Sequence, residues 1–207
     1  SGRWKLGLAL ALVTAACWAT LPVALKISLS VLDPMTLTWF RFAFAALFML
    51  VWLAARRQLG AYRSLHRRDG LWLLLASVLL LGNYVGYLLG VHYTTPGNAQ
   101  LLIQLAPLLM ALGGIFIFRE RFRAAQWAGL AVIAAGLLLF FRDQVIAAAN
   151  GLAYAQGALL IVVAAIVWAI YALLQKQLLT RLGSPAIQVF IYALASVLLL
   201  PLAHPRA

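Results

Sequence analysis

Seven long apolar segments run through this chain of 207 residues, and they limit its possible folds more than any other feature. Each is close to the roughly 20 residues that an α-helix needs to cross the hydrocarbon of a bilayer. They do not alternate between apolar and polar residues, as the strands of a membrane β-barrel do. The segments lie near residues 6–25, 35–55, 71–91, 97–118, 124–141, 155–175 and 185–203. The sequence therefore predicts an all-α polytopic membrane protein.

The composition and the distribution of charge agree with a membrane protein and exclude other classes. With 66% hydrophobic residues, the chain has more apolar surface than a soluble domain of this length can bury. The net charge of +12 does not indicate nucleic-acid binding, because Lys and Arg occur in short clusters between the apolar segments and not on one solvated face. Most of these clusters fall on one side of the predicted membrane, which the positive-inside rule assigns to the cytoplasm. We therefore expect a cytoplasmic N-terminus.

The first and sixth segments contain the same residue types in the same order. Trp and Lys recur with an offset of 150 residues, and Pro recurs with an offset of 151. Because the two copies begin five spans apart, which is an odd number, the second copy crosses the membrane in the opposite direction. This arrangement is an inverted repeat, and the alternative is chance similarity between two Ala- and Leu-rich helices. The matched pairs are Trp18 and Trp168, Lys26 and Lys176, and Pro34 and Pro185.

The repeat predicts the domain organisation of the chain. Residues 1–143 are expected to form a first repeat of five helices. Residues 151–207 are expected to begin the second, inverted repeat with two helices. Two complete five-helix bundles have ten spans, so we expect about three more helices in the full protein.

Several short motifs occur in a fixed order along the chain. They are Trp18 with Lys26, Pro34 followed by Arg41-Phe42, Tyr93-Thr94-Thr95, Ala99 through Pro107, and Phe118-Arg119-Glu120-Arg121 followed by Gln126 and Gly129. With these motifs the sequence resembles the EamA-type members of the drug/metabolite transporter superfamily over nearly its whole length. The resemblance implies two inverted five-helix repeats around a central cavity, and a carrier of small metabolites, often an exporter of amino acids or related compounds. We accordingly expect a small-molecule solute and the lipid bilayer as partners, in the inner (plasma) membrane of a bacterium.

Polar side chains on the third and fourth spans are candidates for solute binding. Asn83 and Tyr87 lie one turn apart on the third span, and Gln100 and Gln104 lie one turn apart on the fourth. A polar amide in lipid costs free energy unless it finds a partner or water. We therefore expect these four side chains to face a water-filled cavity. The alternative is hydrogen bonding between neighbouring spans.

Aromatic residues of the two predicted copies are further candidates. Trp18 and Trp168 lie in the middle of their spans, away from the headgroup level where aromatic belts form. Tyr171 follows Trp168 on a shared face of the sixth span. We expect these rings to line the cavity, with packing or lipid contact as the alternatives. Pro22 and Pro107 cannot donate to the carbonyl one turn earlier, so each is expected to kink its span.

A stripe of glycines marks the third span. Gly82, Gly86 and Gly90 recur every four residues and therefore share one face of a helix. Small residues on one face let a neighbouring backbone approach closely. We expect this stripe to pack against another helix.

The charged residues bear on the chemistry of the solute. No carboxylate lies deep in a span, and Glu120 is expected to pair with its neighbours Arg119 and Arg121 at the membrane surface. Arg41 lies about two turns inside the second span, from where it is expected to extend outward to the headgroups, the alternative being contact with an anionic group. A neutral or zwitterionic solute fits this pattern. Efflux of drugs or lipophilic cations is the alternative, and it would call for a buried acid.

Enzymatic and cofactor-binding functions find no support in the sequence. The three His residues are scattered among loops and span ends, with no acid at a catalytic spacing. The single cysteine, Cys17, has no partner for a disulfide or a thiolate metal site. We therefore predict no catalytic residues, no metal and no cofactor. A receptor or scaffold without transport is a weaker alternative, because the sequence resembles no signalling domain.

Overall fold

The structure is a computed structural model that describes residues 4–57, 60, 66–148 and 151–204. Within these ranges the secondary structure is helical and contains no strand. Seven helical units in this part of the chain are long and apolar enough to cross a membrane, and they coincide with the seven apolar segments. The helices are α1 (Trp4–Ser28), α2 (Pro34–Ala55), α3 (Arg67–Tyr93), α4 (Pro96–Leu102), α5 (Leu105–Phe118), α6 (Ala124–Ala148), α7 (Leu152–Leu178) and α8 (Ser184–Leu199), with a short 3₁₀ turn at Leu200–Leu202. The predicted all-α polytopic membrane fold is confirmed.

Helix α2 begins at a strong start signal. The Asp33 carboxylate accepts hydrogen bonds from the backbone N–H groups of Met35 at 2.9 Å and Thr36 at 3.0 Å. Pro34 occupies the first turn, where its missing N–H has no cost. Burial alone raises the pKa of Asp33, but the hydrogen bonds from Thr36 and Met35 outweigh it and hold the pKa below its usual value. The charged cap thus fixes the point at which α2 starts.

Helices α3 and α7 approach each other most closely at two glycines. A Cβ added to Gly90 would lie 2.9 Å from the carbonyl oxygen of Gly157, and one added to Gly157 would lie 3.1 Å from the carbonyl oxygen of Gly90. A Cβ on Gly86 would meet Ala164 at an ordinary contact distance of 3.6 Å, whereas the space beside Gly82 is open. The packing expected of the glycine stripe therefore involves Gly86 and Gly90 but not Gly82.

The largest apolar core lies where α2, α3, α7 and α8 meet. Phe42 of α2, Leu73 of α3 and Ile187 of α8 are fully buried within it. In contrast, α1 and α6 present many large apolar side chains on the outside of the bundle, among them Leu12 and Val132. Exposed apolar faces on span-length helices are expected when the surrounding solvent is lipid.

The α1–α2 and α7–α8 connections have the same local structure. In residues 29–32 and 179–182, successive backbone N–H groups donate to carbonyls four, three, three and four residues earlier. Within these turns the hydroxyl of Ser30 donates to Ile27 at 2.7 Å, and the hydroxyl of Thr180 donates to Gln177 at 2.7 Å. The equivalent atoms differ by 150 in residue number, which is the offset of the Trp and Lys pairs in the sequence. The two predicted copies therefore contain turns with the same hydrogen-bonding pattern.

The short connections make successive spans run in opposite directions, which gives the bundle two distinct ends. The basic end holds the start of α1, the α5–α6 connection and the end of α7. The opposite end holds the α1–α2 and α3–α4 connections and the start of α7. Arg119, Lys176 and Arg181 lie at the basic end.

Candidate functional site

A cavity of about 450 Å³ lies between α1, α2, α3, the α4–α5 span and α7. This volume is within the range of roughly 300–1,000 Å³ that is typical of small-molecule sites. Its wall is mainly aromatic and aliphatic, with three amides and one charged group. The lining residues are Ala11, Thr14, Ala15, Trp18, Leu21, Leu25, Arg41, Asn83, Tyr84, Tyr87, Gln100, Ile103, Gln104, Ala106, Pro107 and Trp168. The cavity is large enough for a small organic molecule, and its wall offers both apolar and polar contacts.

The structure brings most of the sequence-predicted binding residues together at this cavity. Tyr171 is the exception, because it is almost completely buried in the core formed with α8. Its offset from Trp168 is three residues, which turns its side chain by about 60° around α7 and away from the cavity. The predicted residues that line the cavity are Trp18, Asn83, Tyr87, Gln100, Gln104 and Trp168.

The two tryptophans of the predicted repeat meet across the cavity. The ring centroids of Trp18 on α1 and Trp168 on α7 are 6.5 Å apart, with an angle of 71° between the ring planes. Edge-to-face contact of this kind is a favoured geometry for aromatic pairs. The contact joins helices that are 150 residues apart at these positions, so both predicted copies contribute to the same wall.

Asn83 both lines the cavity and bonds to a neighbouring span. Its side-chain Nδ2 donates to the backbone carbonyl of Ala164 at 2.8 Å, and the residue is only 5% exposed. One amide hydrogen therefore bonds α3 to α7 and does not face the cavity. The expected cavity position and the alternative interhelical hydrogen bond occur together at this residue.

The fourth span is interrupted where Gln104 reaches the cavity. Pro107 has no N–H to donate to the carbonyl of Ile103, and the N–H of Ala106 bonds to that carbonyl instead at 2.9 Å. Helix α4 ends at Leu102 and α5 begins at Leu105, so the break lies one turn before the proline. Tightened turns of this type are common where backbone lines a cavity in a membrane protein.

Pro22 has no comparable interruption. Helix α1 continues through it from Trp4 to Ser28, while Leu21 and Leu25 on either side border the cavity. A bend at Pro22 stays a prediction.

Arg41 lines the cavity and does not extend to the headgroups as expected. The central carbon of its guanidinium lies 4.9 Å from the ring centroid of Tyr84, a cation–π contact. Tyr84 also packs against Phe42, with ring centroids 5.0 Å apart, which holds its ring beside the arginine. The side chain thus lies against Tyr84 of α3, beside the cavity.

Arg41 and Tyr84 line the cavity but were not among the residues expected there. A signal for Tyr84 was available, because it lies next to Asn83 and three residues before Tyr87, and thus on the same broad face of α3. No comparable signal distinguishes an arginine that turns inward from one that reaches the surface.

Two ion pairs link the first and second predicted repeats at the basic end. Lys176 of α7 pairs with Glu120, and its ammonium lies 4.6 Å from the ring of Phe118. Arg181 pairs with Asp69 of α3 at 2.9 Å. Both acids belong to residues 1–143 and both bases to residues 151–207, so the pairs tie the two halves together.

The pairing of Glu120 with its neighbours Arg119 and Arg121 was a wrong expectation. Arg119 has a left-handed backbone with φ 55°, which ends α5 in a tight reversal. The N–H of Glu120 then bonds to the carbonyl of Gly114 at 3.1 Å. A carboxylate oxygen comes within 2.5 Å of where a Cβ on Gly114 would stand, so the acid folds back along α5 and reaches α7.

Lys26 closes the end of α3 at the opposite end of the bundle. Its ammonium donates to the carbonyls of Val91 at 2.9 Å, His92 at 2.7 Å and Thr94 at 3.1 Å. These carbonyls lie at the C-terminus of a helix, where the backbone has no further N–H partners and the dipole favours a cation. Asn98 on α4 donates to the hydroxyl of Tyr154 on α7 at 2.5 Å at the same end.

In the described residues no group of three or more His, Cys, Asp or Glu side chains is arranged to hold a metal ion.

The chain is similar to a known family and to several bacterial proteins. The EamA-like transporter family matches residues 5–142. The protein named "Uncharacterized inner membrane transporter YhbE" of Escherichia coli (strain K12) is 36% identical over 204 residues, which cover 97% of this chain and 63% of the relative. A "Probable amino-acid metabolite efflux pump" of the same strain is 26% identical over 194 residues, covering 93% of this chain and 60% of the relative. The chain thus spans less than two thirds of the length of these relatives.

A solved crystal structure shares the fold. It is 23% identical in sequence, with a TM-score of 0.62 over 94% of this chain and 69% of its own. The family match covers most of the chain and includes every cavity-lining position except Trp168. With the seven membrane spans, these findings confirm the resemblance seen in the motifs and the expectation that the protein is not an enzyme. The chain belongs to the EamA-like transporter family.

Proposed function

We propose that the full protein carries small amino-acid-like metabolites across a bacterial inner membrane, with export as the expected direction. The solute would bind in the cavity described above, which would open alternately to the two sides. The observation that carries this proposal is a cavity of about 450 Å³ whose wall combines the tryptophans of both predicted copies with three amides. Apolar walls with a few oriented polar groups are typical of sites for small organic molecules.

Alternating access requires two halves that move against each other. In this proposal the two inverted repeats are those halves. Support comes from the two connections with identical hydrogen bonding and from the contact between Trp18 and Trp168. Residues 1–143 would form one half, and residues 151–207 would begin the other.

The proposed orientation follows from the charge distribution. The basic end would face the cytoplasm, with the N-terminus on that side. In this conformation the Lys176–Glu120 and Arg181–Asp69 pairs would hold the halves together at that end. Opening of the cavity to the cytoplasm would separate these pairs.

The substrate class is supported by the wall chemistry and by a distant relative. The relative that is 26% identical carries a name that refers to amino-acid metabolites and to efflux. Among the cavity-lining side chains of the described residues there is no carboxylate, which disfavours the alternative of lipophilic-cation efflux. Amides and indole rings suit a solute with both polar and apolar parts.

The experiment uses full-length protein in liposomes and a panel of radiolabelled amino acids measured by counterflow. We expect Gln104→Ala and Trp168→Ala to reduce the rate for the transported amino acid while the protein still inserts into the membrane. Matched controls outside the cavity are Gln177→Ala and Trp127→Ala, which replace exposed side chains and are expected to leave the rate unchanged. Wild-type rates in both cavity variants would mean that the solute does not bind in this cavity. If none of the amino acids in the panel shows counterflow, the proposed substrate class is wrong.

A further inference from the structure

Arg41 is unusual in its charge and depth. Among the cavity-lining side chains in the described part of the chain, no other is charged. It lies seven residues after Pro34, the first residue of α2, which corresponds to about 10 Å along the helix axis. A cation at this depth is costly unless water or an anion compensates for its lost hydration. The cavity therefore contains a positive charge that calls for a counter-charge.

The acidic side chains that the structure describes are occupied elsewhere. Asp33 caps α2 through two backbone N–H groups. Asp69 and Glu120 pair with basic residues at the basic end. The fourth acid of the chain, Asp143, has a side chain outside the described part. Within the described side chains, Arg41 thus has no carboxylate partner.

The contacts of Arg41 leave its hydrogen-bonding capacity available. Its guanidinium contacts the face of Tyr84, with 4.9 Å between its central carbon and the ring centroid. Contact with a ring face orients a guanidinium but uses none of its five N–H donors. A guanidinium oriented in this way can bind a carboxylate through two parallel hydrogen bonds, whereas a lysine offers only a point charge.

We infer that Arg41 forms the anion subsite of the cavity and binds the carboxylate of the transported solute. The inference rests on the proposed function and adds a requirement to it, namely that the solute carries a free carboxylate. Gln100 and Gln104 also line the cavity and bind the other polar groups of the solute. Trp18 and Trp168 contact its apolar part. An amino acid is accepted, while its amide, its methyl ester and the corresponding decarboxylated amine are rejected.

The test compares an acid with its amide in wild-type and variant proteins. Full-length protein is reconstituted in phosphatidylcholine vesicles, and inhibition of counterflow is measured with the transported amino acid and with its amide. In the wild type the amide is expected to inhibit at least about tenfold more weakly than the acid, the usual size of a charge-assisted hydrogen bond. Arg41→Gln is expected to weaken inhibition by the acid by the same factor and to leave inhibition by the amide unchanged. Arg41→Lys is expected to restore part of the preference.

A matched control is available at the C-terminal cap of the same helix. The guanidinium of Arg56 lies 4.8 Å from the ring centroid of Trp52, a similar cation–π contact outside the cavity. Arg56→Gln is expected to keep the wild-type preference for the acid. If Arg41→Gln weakens inhibition by the acid and by the amide equally, or changes neither, the anion subsite is disproved. If Arg41→Gln does not fold, the wild-type comparison decides alone, since equal inhibition by acid and amide also disproves it.

Two further measurements separate the possible failures. If no amino acid is transported, the proposed function fails, and the subsite is then tested by thermal protection of detergent-solubilised protein by N-acetyl amino acids. Protection that is lost in Arg41→Gln supports the subsite independently of transport, and equal protection overturns it. Repeating the assays with phosphatidylglycerol vesicles tests a lipid phosphate as the anion. If the Arg41→Gln effect appears only with that anionic lipid, a headgroup is the occupant and the inference is wrong.

Discussion

Alanine substitutions along the glycine stripe of α3 are expected to have graded and opposite effects on stability. At Gly90 a new Cβ meets the backbone carbonyl oxygen of Gly157 at 2.9 Å as well as the side chain of Ile161. The isoleucine can change rotamer, but the carbonyl belongs to the backbone of α7 and moves only with the helix. Overpacking of this kind costs roughly 1–3 kcal/mol. Against it stands the gain of about 0.5–1 kcal/mol that Ala provides over Gly in a helix interior.

The net prediction for Gly90→Ala is therefore a loss of about 1 kcal/mol, and of up to about 2.5 kcal/mol, in the free energy of unfolding. The other two glycines serve as matched controls in the same helix. Gly82→Ala meets open space and is expected to gain up to about 1 kcal/mol. Gly86→Ala creates only an ordinary contact with Ala164 at 3.6 Å and is expected to be neutral or slightly stabilising.

The assay is reversible unfolding of the full-length protein in mixed micelles, followed by circular dichroism. Equal shifts for Gly90→Ala and Gly82→Ala would refute the close approach of α3 and α7, because helix propensity alone then accounts for both. A second variant checks the geometry from the other side. At Gly157 a Cβ would lie 2.7 Å from the Cβ of Tyr93 and 2.8 Å from the Cγ2 of Thr94, so Gly157→Ala is expected to cost at least as much as Gly90→Ala.

Two electrostatic contacts at helix ends give further predictions. Glu120→Gln removes the ion pair with Lys176, and both side chains are partly exposed, so we expect a stability loss below about 1 kcal/mol. Hydrogen exchange at the end of α5 is expected to become faster, and unchanged exchange would mean that the pair does not hold this end of α5 against α7. Asp33→Ala removes the N-cap of α2 and is expected to cost about 0.5–2 kcal/mol in unfolding experiments at neutral pH. Because the pKa of Asp33 is lowered in the folded state, the cap contributes its full stability above the ordinary pKa of about 3.9. This contribution is lost as the pH falls through the lowered pKa, so the free energies of unfolding of wild type and variant are expected to converge in acid.

The spans could be predicted from the sequence because hydropathy acts over whole segments of about 20 residues. The cavity face of α3 could also be predicted in part, since Asn83 and Tyr87 are polar residues one turn apart in an apolar helix. The contribution of each glycine could not be predicted. Gly82 and Gly90 share one face, yet only Gly90 lies at the level where α7 also has a glycine.

The differences at the candidate site arise from long-range packing. Tyr171 was expected beside Trp168, but α8 covers its side of α7 and encloses it in the core. Arg41 was expected to extend outward to the headgroups, but its guanidinium contacts the ring of Tyr84 on α3. Glu120 was expected to pair locally, but the reversal after α5 directs it to α7. Each of these partners lies on another helix, and a single-helix pattern carries no information about it.

Lys26 and Lys176 show how one repeated residue can have two roles, and the difference leads to a last prediction. They occupy matching positions before identical turns, but Lys26 donates to three carbonyls at the end of α3 while Lys176 pairs with an exposed carboxylate. Hydrogen bonds to a charged group are worth roughly 1.5–3 kcal/mol when partly buried, against about 0–1 kcal/mol for an exposed ion pair. Lys26→Met is therefore expected to reduce the free energy of unfolding by at least about 0.5 kcal/mol more than Lys176→Met. Equal losses in the two variants would mean that the bonds of Lys26 to α3 do not stabilise the fold beyond what a surface pair provides.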